Sequence, residues 1–458
     1  MVHTFKMFDK YIALDVNSGC VHDMDKLSYD IINFLNVKNF APTSSEAKFK
    51  LIDDLKYDYD RGEISDALAD IAELYENGML WAKDDFEIAS NLKENAPVKA
   101  MCLHVSHDCN LRCKYCFADE GKYHTEKREL MTAETGKRAM DYLVEHSGHR
   151  RNLEVDFFGG EPLMNFEVVK EVVEYARELE KKHNKVFRFT VTTNGILLDE
   201  KKLEYINENM SNIVLSIDGR KEVNDRMRYR ADGSGSYDKI VPIFQKVAES
   251  RNQDNYYVRG TFTRENLDFS KDVLHLADLG FKQISIEPVV CGEETDYSLR
   301  EEDLSKIFNE YESLVKEYVK RIKDGNGFNF FHFMIDLEEG PCIIKRLSGC
   351  GCGCEYLAVA PNGDVYPCHQ FVGSEEYKMG SLYDSSGLNK ELRSTFEKCN
   401  VYTKPDCDSC FAKFFCSGGC IANACLINGD MNKPHKLSCE MMKKRVECSL
   451  YAKAALAD

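Results

Sequence analysis

Residues 109–116 read Cys-Asn-Leu-Arg-Cys-Lys-Tyr-Cys and follow directly on the apolar run 100–105. The thiols of Cys109, Cys113 and Cys116 are spaced four and three residues apart in a loop after a predicted strand, so they can converge on one centre. Thiolates are the usual protein ligands of iron-sulfur clusters. Three thiolates without a fourth nearby would leave one iron of a four-iron cluster open to an outside ligand. A structural zinc site is the alternative, although it normally takes four protein ligands.

Composition limits the classes of protein to consider. The chain has 458 residues, 19 cysteines and a formal net charge of -17. Residues 1–6 lack the apolar core of a signal peptide, and the richest apolar run, 328–335, is too short to span a bilayer. We therefore expect a cytoplasmic protein with reduced, largely metal-bound thiols and no membrane association. Its acidity argues against nucleic-acid binding, which depends on cationic surfaces.

Residues 1–90 are expected to form a separate small domain. Short strand patterns occur at 4–8, 11–16 and 20–24, and helical patterns follow at 27–35, 44–57 and 64–80. Strands followed by helices in a unit of this size resemble the winged-helix-like RiPP recognition element of peptide-modifying enzymes. That resemblance implies binding of a leader peptide as an added strand at a sheet edge. A capping subdomain without a ligand is the alternative.

From residue 98 the pattern changes to strands that alternate with amphipathic helices. Strands are predicted at 100–105, 153–158, 186–191, 213–217, 257–262 and 283–288, and helices at 132–145, 167–182, 237–250 and 301–323. Alternation of this kind predicts an α/β fold with a parallel sheet and crossover helices. Ligands then bind at the carboxyl ends of the strands. We expect this domain to cover residues 98–325.

Polar, glycine-containing segments stand where three of these strands end. They are Gly159-Gly160-Glu161-Pro162, Thr192-Thr193-Asn194-Gly195 and Ser216-Ile217-Asp218-Gly219. The two glycines of the first segment allow a close backbone approach. Each segment is also compatible with an ordinary turn whose side chains satisfy their own backbone.

The density of cysteines rises in residues 326–458, the third expected domain. The run Cys407-x2-Cys410-x5-Cys416-x3-Cys420 is followed by Cys439, and Gly363-Asp364-Val365-Tyr366-Pro367-Cys368 precedes it. A zinc ribbon would account for Cys407 and Cys410 but not for the whole run. Residues 349–354 read Gly-Cys-Gly-Cys-Gly-Cys, and Cys342 lies shortly before them.

Together these motifs resemble the radical S-adenosylmethionine (SAM) superfamily, including Tyr115 before the last cysteine of the loop. The resemblance implies a partial (β/α)6 barrel in which the open iron of the cluster on Cys109, Cys113 and Cys116 chelates SAM. It also implies an amino-group site at Gly159, Gly160, Glu161 and Pro162, and a pocket lined by Asn194, Ser216 and Asp218. Arg228 is expected to pair with the SAM carboxylate, and Arg226 is the competing choice.

The C-terminal pattern resembles the SPASM extension of radical SAM peptide maturases, which carries two auxiliary iron-sulfur clusters. By resemblance, the outer cluster is held by Cys407, Cys410, Cys416 and Cys439, and Cys420 joins Cys368 at the inner cluster. The remaining ligands of the inner cluster are drawn from Cys342, Cys350, Cys352 and Cys354. Cys342 and Cys350 have the spacing closest to that of the family, whereas an exchangeable ligand or an open iron at the inner cluster are alternatives.

Residues 11–19 and 366–373 look most like the maturases of six-cysteine (SCIFF) peptides. This implies SAM, three four-iron clusters, a cysteine-rich precursor peptide bound through its leader, and an electron donor such as flavodoxin or ferredoxin. The implied reaction is thioether formation between cysteine sulfur and an acceptor carbon, of the sactipeptide or ranthipeptide kind. Alternatives are a formylglycine-forming enzyme like the anaerobic sulfatase maturases, another SPASM peptide-modifying enzyme, and a peptide-binding or electron-carrier protein without SAM chemistry.

Overall fold

The computed structural model describes residues 1–89, 95–125, 127–292, 294–337 and 342–457. The N-terminal elements are β1 (Val2–Met7), β2 (Lys10–Asp15), β3 (Val21–Met24), α1 (Lys26–Lys38), α2 (Ser45–Leu55) and α3 (Arg61–Glu76). The strands form an antiparallel sheet in the order β1-β2-β3. The predicted strands and helices of this region are thus present, and the predicted domain boundary at residue 90 lies outside the described residues.

The N-terminal sheet has a core on each face because strand side chains alternate in direction. Ala13 on β2 packs with the buried side chains of α1, α2 and α3, whereas Ile12 and Leu14 belong to the main core of the molecule. Helix α3 ends at Glu76, four residues before the predicted end, since Gly78 adopts a positive φ of 68°.

Residues 100–330 supply the following elements: β4 (Ala100–Ser106), β5 (Leu111–Cys113), α4 (Ala133–His146), β6 (Asn152–Gly159), α5 (Phe166–His183), β7 (Val186–Thr193), α6 (Glu200–Asn209), β8 (Asn212–Ser216), α7 (Lys221–Met227), β9 (Arg228–Arg230), α8 (Tyr237–Ser250), β10 (Tyr256–Phe262), α9 (Phe269–Asp278), β11 (Gln283–Pro288), α10 (Leu304–Lys323) and β12 (Asn329–Phe330). All six predicted strands are present, and they pair in parallel in the order β4-β6-β7-β8-β10-β11. Every residue of β4 is buried, as expected for a strand covered on both faces.

The C-terminal segment contains α11 (Ile343–Ser348), β13 (Tyr356–Val359), β14 (Asp364–Tyr366), β15 (Gly380–Ser381), α12 (Lys390–Lys398), α13 (Pro405–Asp408), α14 (Lys413–Cys416), α15 (Ile421–Asn428) and α16 (Lys436–Ala457). Strand β13 pairs in parallel with β4, and β14 and β15 follow antiparallel, so this segment extends the central sheet to ten strands. The barrel and the cysteine-rich segment therefore share one sheet.

The longest of these C-terminal helices, α16, connects the central sheet with the N-terminal sheet. It packs along α10 and also contacts β1 and β2. Its Tyr451 ring lies 5.1 Å from the ring of Phe8, and the carboxylate of its Glu447 is 3.1 Å from His3 Nε2. Within the part of the chain that the structure describes, no helix combines the length and apolarity needed to cross a bilayer.

A substitution at Phe189 on β7 can test the packing of the central sheet. Its ring is fully buried, with centroids 5.6 Å from Phe157 and 6.0 Å from Phe187. We expect Phe189→Ala to lower the free energy of unfolding by about 3–5 kcal/mol, because it removes aromatic contacts and leaves a cavity. Phe49→Ala, at a side chain that is 75% exposed, should change it by less than about 0.5 kcal/mol. Urea unfolding of the full chain measures both, and equal effects would contradict the expected packing.

Candidate active site

The three-cysteine loop follows the carboxyl end of β4 and is fixed by neighbouring strands. Part of it, β5, pairs antiparallel with β9, so that Cys113 stands opposite Arg228. Asn194, just after β7, donates from Nδ2 to Asn110 Oδ1 at 2.8 Å and lies 3.6 Å from Cys109 Sγ. Three separate strands thereby position the loop.

The Gly159-Gly160 step lets the loop approach the end of β6. A Cβ at Gly159 would lie 2.2 Å from the Ser106 carbonyl oxygen, and one at Gly160 would lie 2.3 Å from that of Asp108. Gly159 also has a φ of 125°, which side chains rarely allow. Only glycine fits at both positions without displacing the backbone of the loop.

Glu161 is fully buried and its carboxylate is already occupied by protein donors. It accepts hydrogen bonds from Thr193 Oγ1 at 2.8 Å, from the Asn194 N–H at 2.8 Å and from the Leu163 N–H at 3.0 Å. Burial raises the pKa of Glu161, although these hydrogen bonds oppose the shift. The carboxylate therefore fixes the end of β7 against β6.

A polar network joins the loop to the ends of β8 and β9. The Tyr115 hydroxyl donates to Asp218 at 2.6 Å and accepts from Arg228 Nη1 at 2.8 Å. Arg228 is only 11% exposed, and its buried Nε has no hydrogen-bond partner within the described residues. Arg226, the competing choice from the sequence, is directed instead to Glu265. A buried guanidinium N–H without a partner is the kind of group that a bound ligand satisfies.

A cavity of about 580 Å³ opens beside this network and extends to the C-terminal cysteines. The predicted site residues that line it are Cys109, Cys113, Tyr115, Cys116, Gly159, Gly160, Asn194, Ser216, Arg228, Cys416, Cys420 and Cys439. The predicted residues outside its lining are Glu161, Pro162, Asp218, Cys342, Cys350, Cys368, Cys407 and Cys410. One cavity thus reaches both the loop cysteines and part of the C-terminal set.

The C-terminal cysteines form two groups. In the first, Cys352 and Cys368 share a hydrogen bond, and burial together with the charges of Cys368, Cys350 and Cys420 raises the pKa of Cys352. In the second, burial raises the pKa of Cys439 to about 12, and the charges of Cys416, Cys407 and Cys410 add to that shift. Cys342 is exposed at the start of α11, so its predicted place in the first group stays a prediction.

Burial disfavours the thiolate form of two of the three loop cysteines. Burial raises the pKa of Cys109 to about 12 and that of Cys113 to about 11. All 19 cysteines lie within the described residues and all are free thiols. Among those residues, no three His, Cys, Asp or Glu side chains stand close enough together to bind one metal ion. The thiolates of an iron-sulfur cluster bind different irons, so a cluster does not require that spacing.

Several cavity residues were not singled out from the sequence. Arg259 on β10 lies inside a strand pattern, Glu287 is the penultimate residue of β11, and Arg445 lies on α16. Arg445 donates to the Tyr311 hydroxyl at 2.8 Å and to Glu287 at 3.2 Å. The sequence feature that could have identified Arg259 was a charged residue in an otherwise buried strand. No sequence pattern pairs Arg445 with Glu287, because 158 residues separate them.

Two known families match parts of this chain. Residues 103–274 match the Radical SAM superfamily, and residues 350–411 match SPASM, an iron-sulfur cluster-binding domain. The radical SAM cyclopropyl synthase TigE of Paramaledivibacter caminithermalis is 23% identical to this chain, over 96% of this chain and 93% of TigE. The cysteine-type anaerobic sulfatase-maturating enzyme of Clostridium novyi is 25% identical, over 69% of this chain and 86% of that enzyme.

The solved structure of native anSMEcpe with bound AdoMet superposes with a TM-score of 0.65 and 21% sequence identity. The match covers 79% of this chain and 100% of that chain, and at this identity it shows the fold alone. The first match contains the three loop cysteines, and the second contains Cys350, Cys352, Cys368, Cys407 and Cys410. The chain carries a radical SAM domain followed by a SPASM iron-sulfur cluster-binding domain.

Proposed function

We propose that this protein is a radical SAM peptide maturase that forms thioether cross-links in a cysteine-rich precursor peptide. The observation that carries the proposal is the single cavity that borders Cys109, Cys113 and Cys116 as well as Cys416, Cys420 and Cys439. A peptide in this cavity can present an acceptor residue to the loop cysteines and a thiol to the C-terminal cysteines. Bond formation between sulfur and carbon requires both groups to be held together in this way.

The residues fit the cofactors that the two domains imply, which are SAM with a four-iron cluster and auxiliary iron-sulfur clusters. Three thiols on one short loop supply an incomplete set of cluster ligands. The unpartnered Nε of Arg228 supplies a buried donor suited to the SAM carboxylate. When bound, SAM at a reduced cluster supplies a 5'-deoxyadenosyl radical that removes a hydrogen atom from the substrate.

The chain's own residues bind and orient the cofactor and the substrate. Tyr115 and Asp218 hold the Arg228 guanidinium in place, and Gly159 leaves room for close backbone contact at the end of β6. Asn194 and Ser216 line the same cavity and offer short polar groups to the nucleoside. The cavity walls also keep bulk water from a reactive carbon centre, which prevents side reactions.

The C-terminal cysteines are expected to hold two auxiliary clusters. The grouping of thiols supports Cys407, Cys410, Cys416 and Cys439 for the outer cluster, and Cys350, Cys352, Cys368 and Cys420 for the inner one. This inner set takes Cys352 in place of Cys342, the residue favoured by sequence spacing. Cluster-bound sulfur is deprotonated, so a substrate thiol that bound there would need no side-chain base. An auxiliary cluster held by these cysteines would also supply a site for the surplus electron that bond formation leaves.

The N-terminal sheet is suited to binding the leader of the precursor. Strands β1 and β3 are the two edges of this sheet. Strand β1 also packs against α1 and α16, whereas β3 makes its main contacts with β2 among the described residues, so β3 is the more accessible edge. All four residues of β3 are at least partly exposed. An edge strand of this kind can pair with an extended peptide through its backbone.

A formylglycine-forming activity is the second candidate, favoured by the similarity to a sulfatase-maturating enzyme. In that family an aspartate follows the cysteine of the glycine-x4-cysteine motif and serves as the base. In this chain His369 holds that position and lines the cavity. The replacement of the aspartate supports thioether formation over oxidation of a cysteine to formylglycine.

The reaction is tested on a cysteine-rich precursor peptide sought among the genes that neighbour this one. We expect the anaerobically reconstituted protein to remove two hydrogen atoms from the peptide for each cross-link and to retain every sulfur atom. High-resolution mass spectrometry with fragmentation measures both. Loss of a sulfur atom with gain of oxygen would favour the formylglycine reaction, and an unmodified peptide would contradict a thioether maturase.

Replacement of Cys109, Cys113 and Cys116 by alanine should abolish SAM cleavage, because it removes the ligands of the SAM-binding cluster. The measurement is 5'-deoxyadenosine released in the presence of dithionite. Cys20→Ala, at a cysteine outside all three groups, is the matched control and should cleave SAM at the wild-type rate. Wild-type cleavage by the triple variant would contradict the assignment.

Turnover should depend on the leader of the precursor peptide. Without the leader, the peptide loses the strand pairing at β3, so we expect its KM to rise by roughly a hundredfold, or about 2.7 kcal/mol. Reductive SAM cleavage in the absence of peptide should be unchanged. A scrambled leader of the same composition is the control. Equal KM values for the native and the scrambled leader would contradict recognition by the N-terminal sheet.

A further inference from the structure

One arginine of the cavity, Arg259, forms no salt bridge within the described residues, although its charge helps to lower the pKa of the nearby Glu287 carboxyl. Arg259 lies in the middle of β10, and it is the one exposed residue of that strand. Since β10 is paired on both sides, with β8 and β11, this exposure is not that of a sheet edge. The Arg259 side chain lines the cavity instead.

The residues that flank Arg259 in the sheet do not cover its guanidinium group. The residues beside Arg259 in the sheet are Ser216 on β8 and Ser285 on β11, both too short to cover it. Within the described residues, Arg259 has no side-chain hydrogen bond and no salt bridge. A solvent-accessible guanidinium without a salt bridge keeps its donors available to an incoming anion.

The other charges of the cavity are already committed. Arg228 lies 3.8 Å from Asp218, and Arg445 donates to Glu287 at 3.2 Å. Glu287 also lies 3.7 Å from His332, so its carboxylate has two neighbours other than Arg259. The local excess of one positive charge is notable in a chain whose formal net charge is -17.

We propose that Arg259 binds a carboxylate of the peptide substrate next to the reacting residue. This inference rests on the proposed function, in which the SAM carboxylate pairs with Arg228 and so leaves Arg259 for a second anion. A guanidinium presents a planar set of donors that matches a carboxylate with two parallel hydrogen bonds. The carboxylate is that of an aspartate or glutamate side chain or that of the peptide C-terminus, and Arg259 selects for it.

Three synthetic hexapeptides distinguish a side-chain carboxylate from the C-terminal carboxylate of the peptide. Each contains one cysteine; the first has a neighbouring glutamate and an amidated end, the second has glutamine and an amidated end, and the third has glutamine and a free C-terminal carboxylate. Their affinities for the full-length, anaerobically reconstituted, SAM-loaded protein are measured by calorimetry. SAM affinity is measured in parallel, so the readout does not depend on catalysis.

We expect the wild-type protein to bind one carboxylate-bearing peptide about tenfold or more tightly than the neutral peptide. Arg259→Ala should remove this preference without changing SAM affinity, and Arg259→Lys should keep part of it because the charge remains while the paired donors are lost. Arg138→Ala, at a 48% exposed arginine of α4, is the control and should keep the full preference.

Two results would overturn the inference. The first is an equal affinity of the wild-type protein for all three peptides, or a preference that survives in Arg259→Ala. The second is a loss of SAM affinity in Arg259→Ala, which would assign the SAM carboxylate to Arg259. Failure of the proposed function is a separate result, because it is measured by the mass of the precursor peptide after reaction with the wild-type protein.

Discussion

The site depends on one close backbone contact, between the three-cysteine loop and the end of β6. The Gly160 N–H donates to the Ser106 carbonyl at 2.7 Å, and the Glu161 N–H donates to that of Asp108 at 2.9 Å. Glu161 then extends the contact to β7 through Thr193 and Asn194. Because these bonds bring three strand ends together, a side chain at Gly159 or Gly160 would disturb the cysteines, the cavity and the third strand at once.

The C-terminal segment adds strands to the central sheet and cysteines to the cavity. Its strand β13 continues the central sheet beside β4, and because the two strands are parallel, the glycine-cysteine repeat that precedes β13 lies at the amino end of β4. Helix α16 contributes Cys439 and Arg445 to the cavity and contacts the N-terminal sheet farther along its length. The same helix therefore touches the region proposed to bind the leader and the region proposed to bind the modified residues.

Three arginines and one carboxylate, that of Glu287, line the cavity of this strongly acidic protein, and Asp218 lies beside Arg228 outside the lining. Arg228 is held by Tyr115 and Asp218 but keeps its buried Nε unpaired. Arg445 is held by Tyr311 and Glu287. Arg259 stands apart from both pairs. Because Arg228 and Arg445 already have partners and Arg259 has no salt bridge, one cavity can hold a cofactor and still offer a charged contact to a second molecule.

Periodicity and motif spacing determined much of the fold. The six parallel strands were predictable because buried apolar runs alternate with amphipathic helices, and the glycine-rich segments were predictable at strand ends because such folds bind ligands there. The three loop cysteines were predictable because their spacing is local. Errors at helix ends, as at Gly78, arose where one residue with a positive φ ends the helix before the apolar pattern does.

Only the tertiary structure decided how distant segments combine. It brought Cys352 beside Cys368, directed Arg228 rather than Arg226 into the cavity, and placed Arg445 against Glu287. It also showed that the carboxylate of Glu161 fixes two strands and does not line the cavity. The sequence by itself determined the local elements and the kinds of ligand atoms, because those depend on neighbouring residues. The partners of each side chain depend on contacts across the sheet, which no local pattern records.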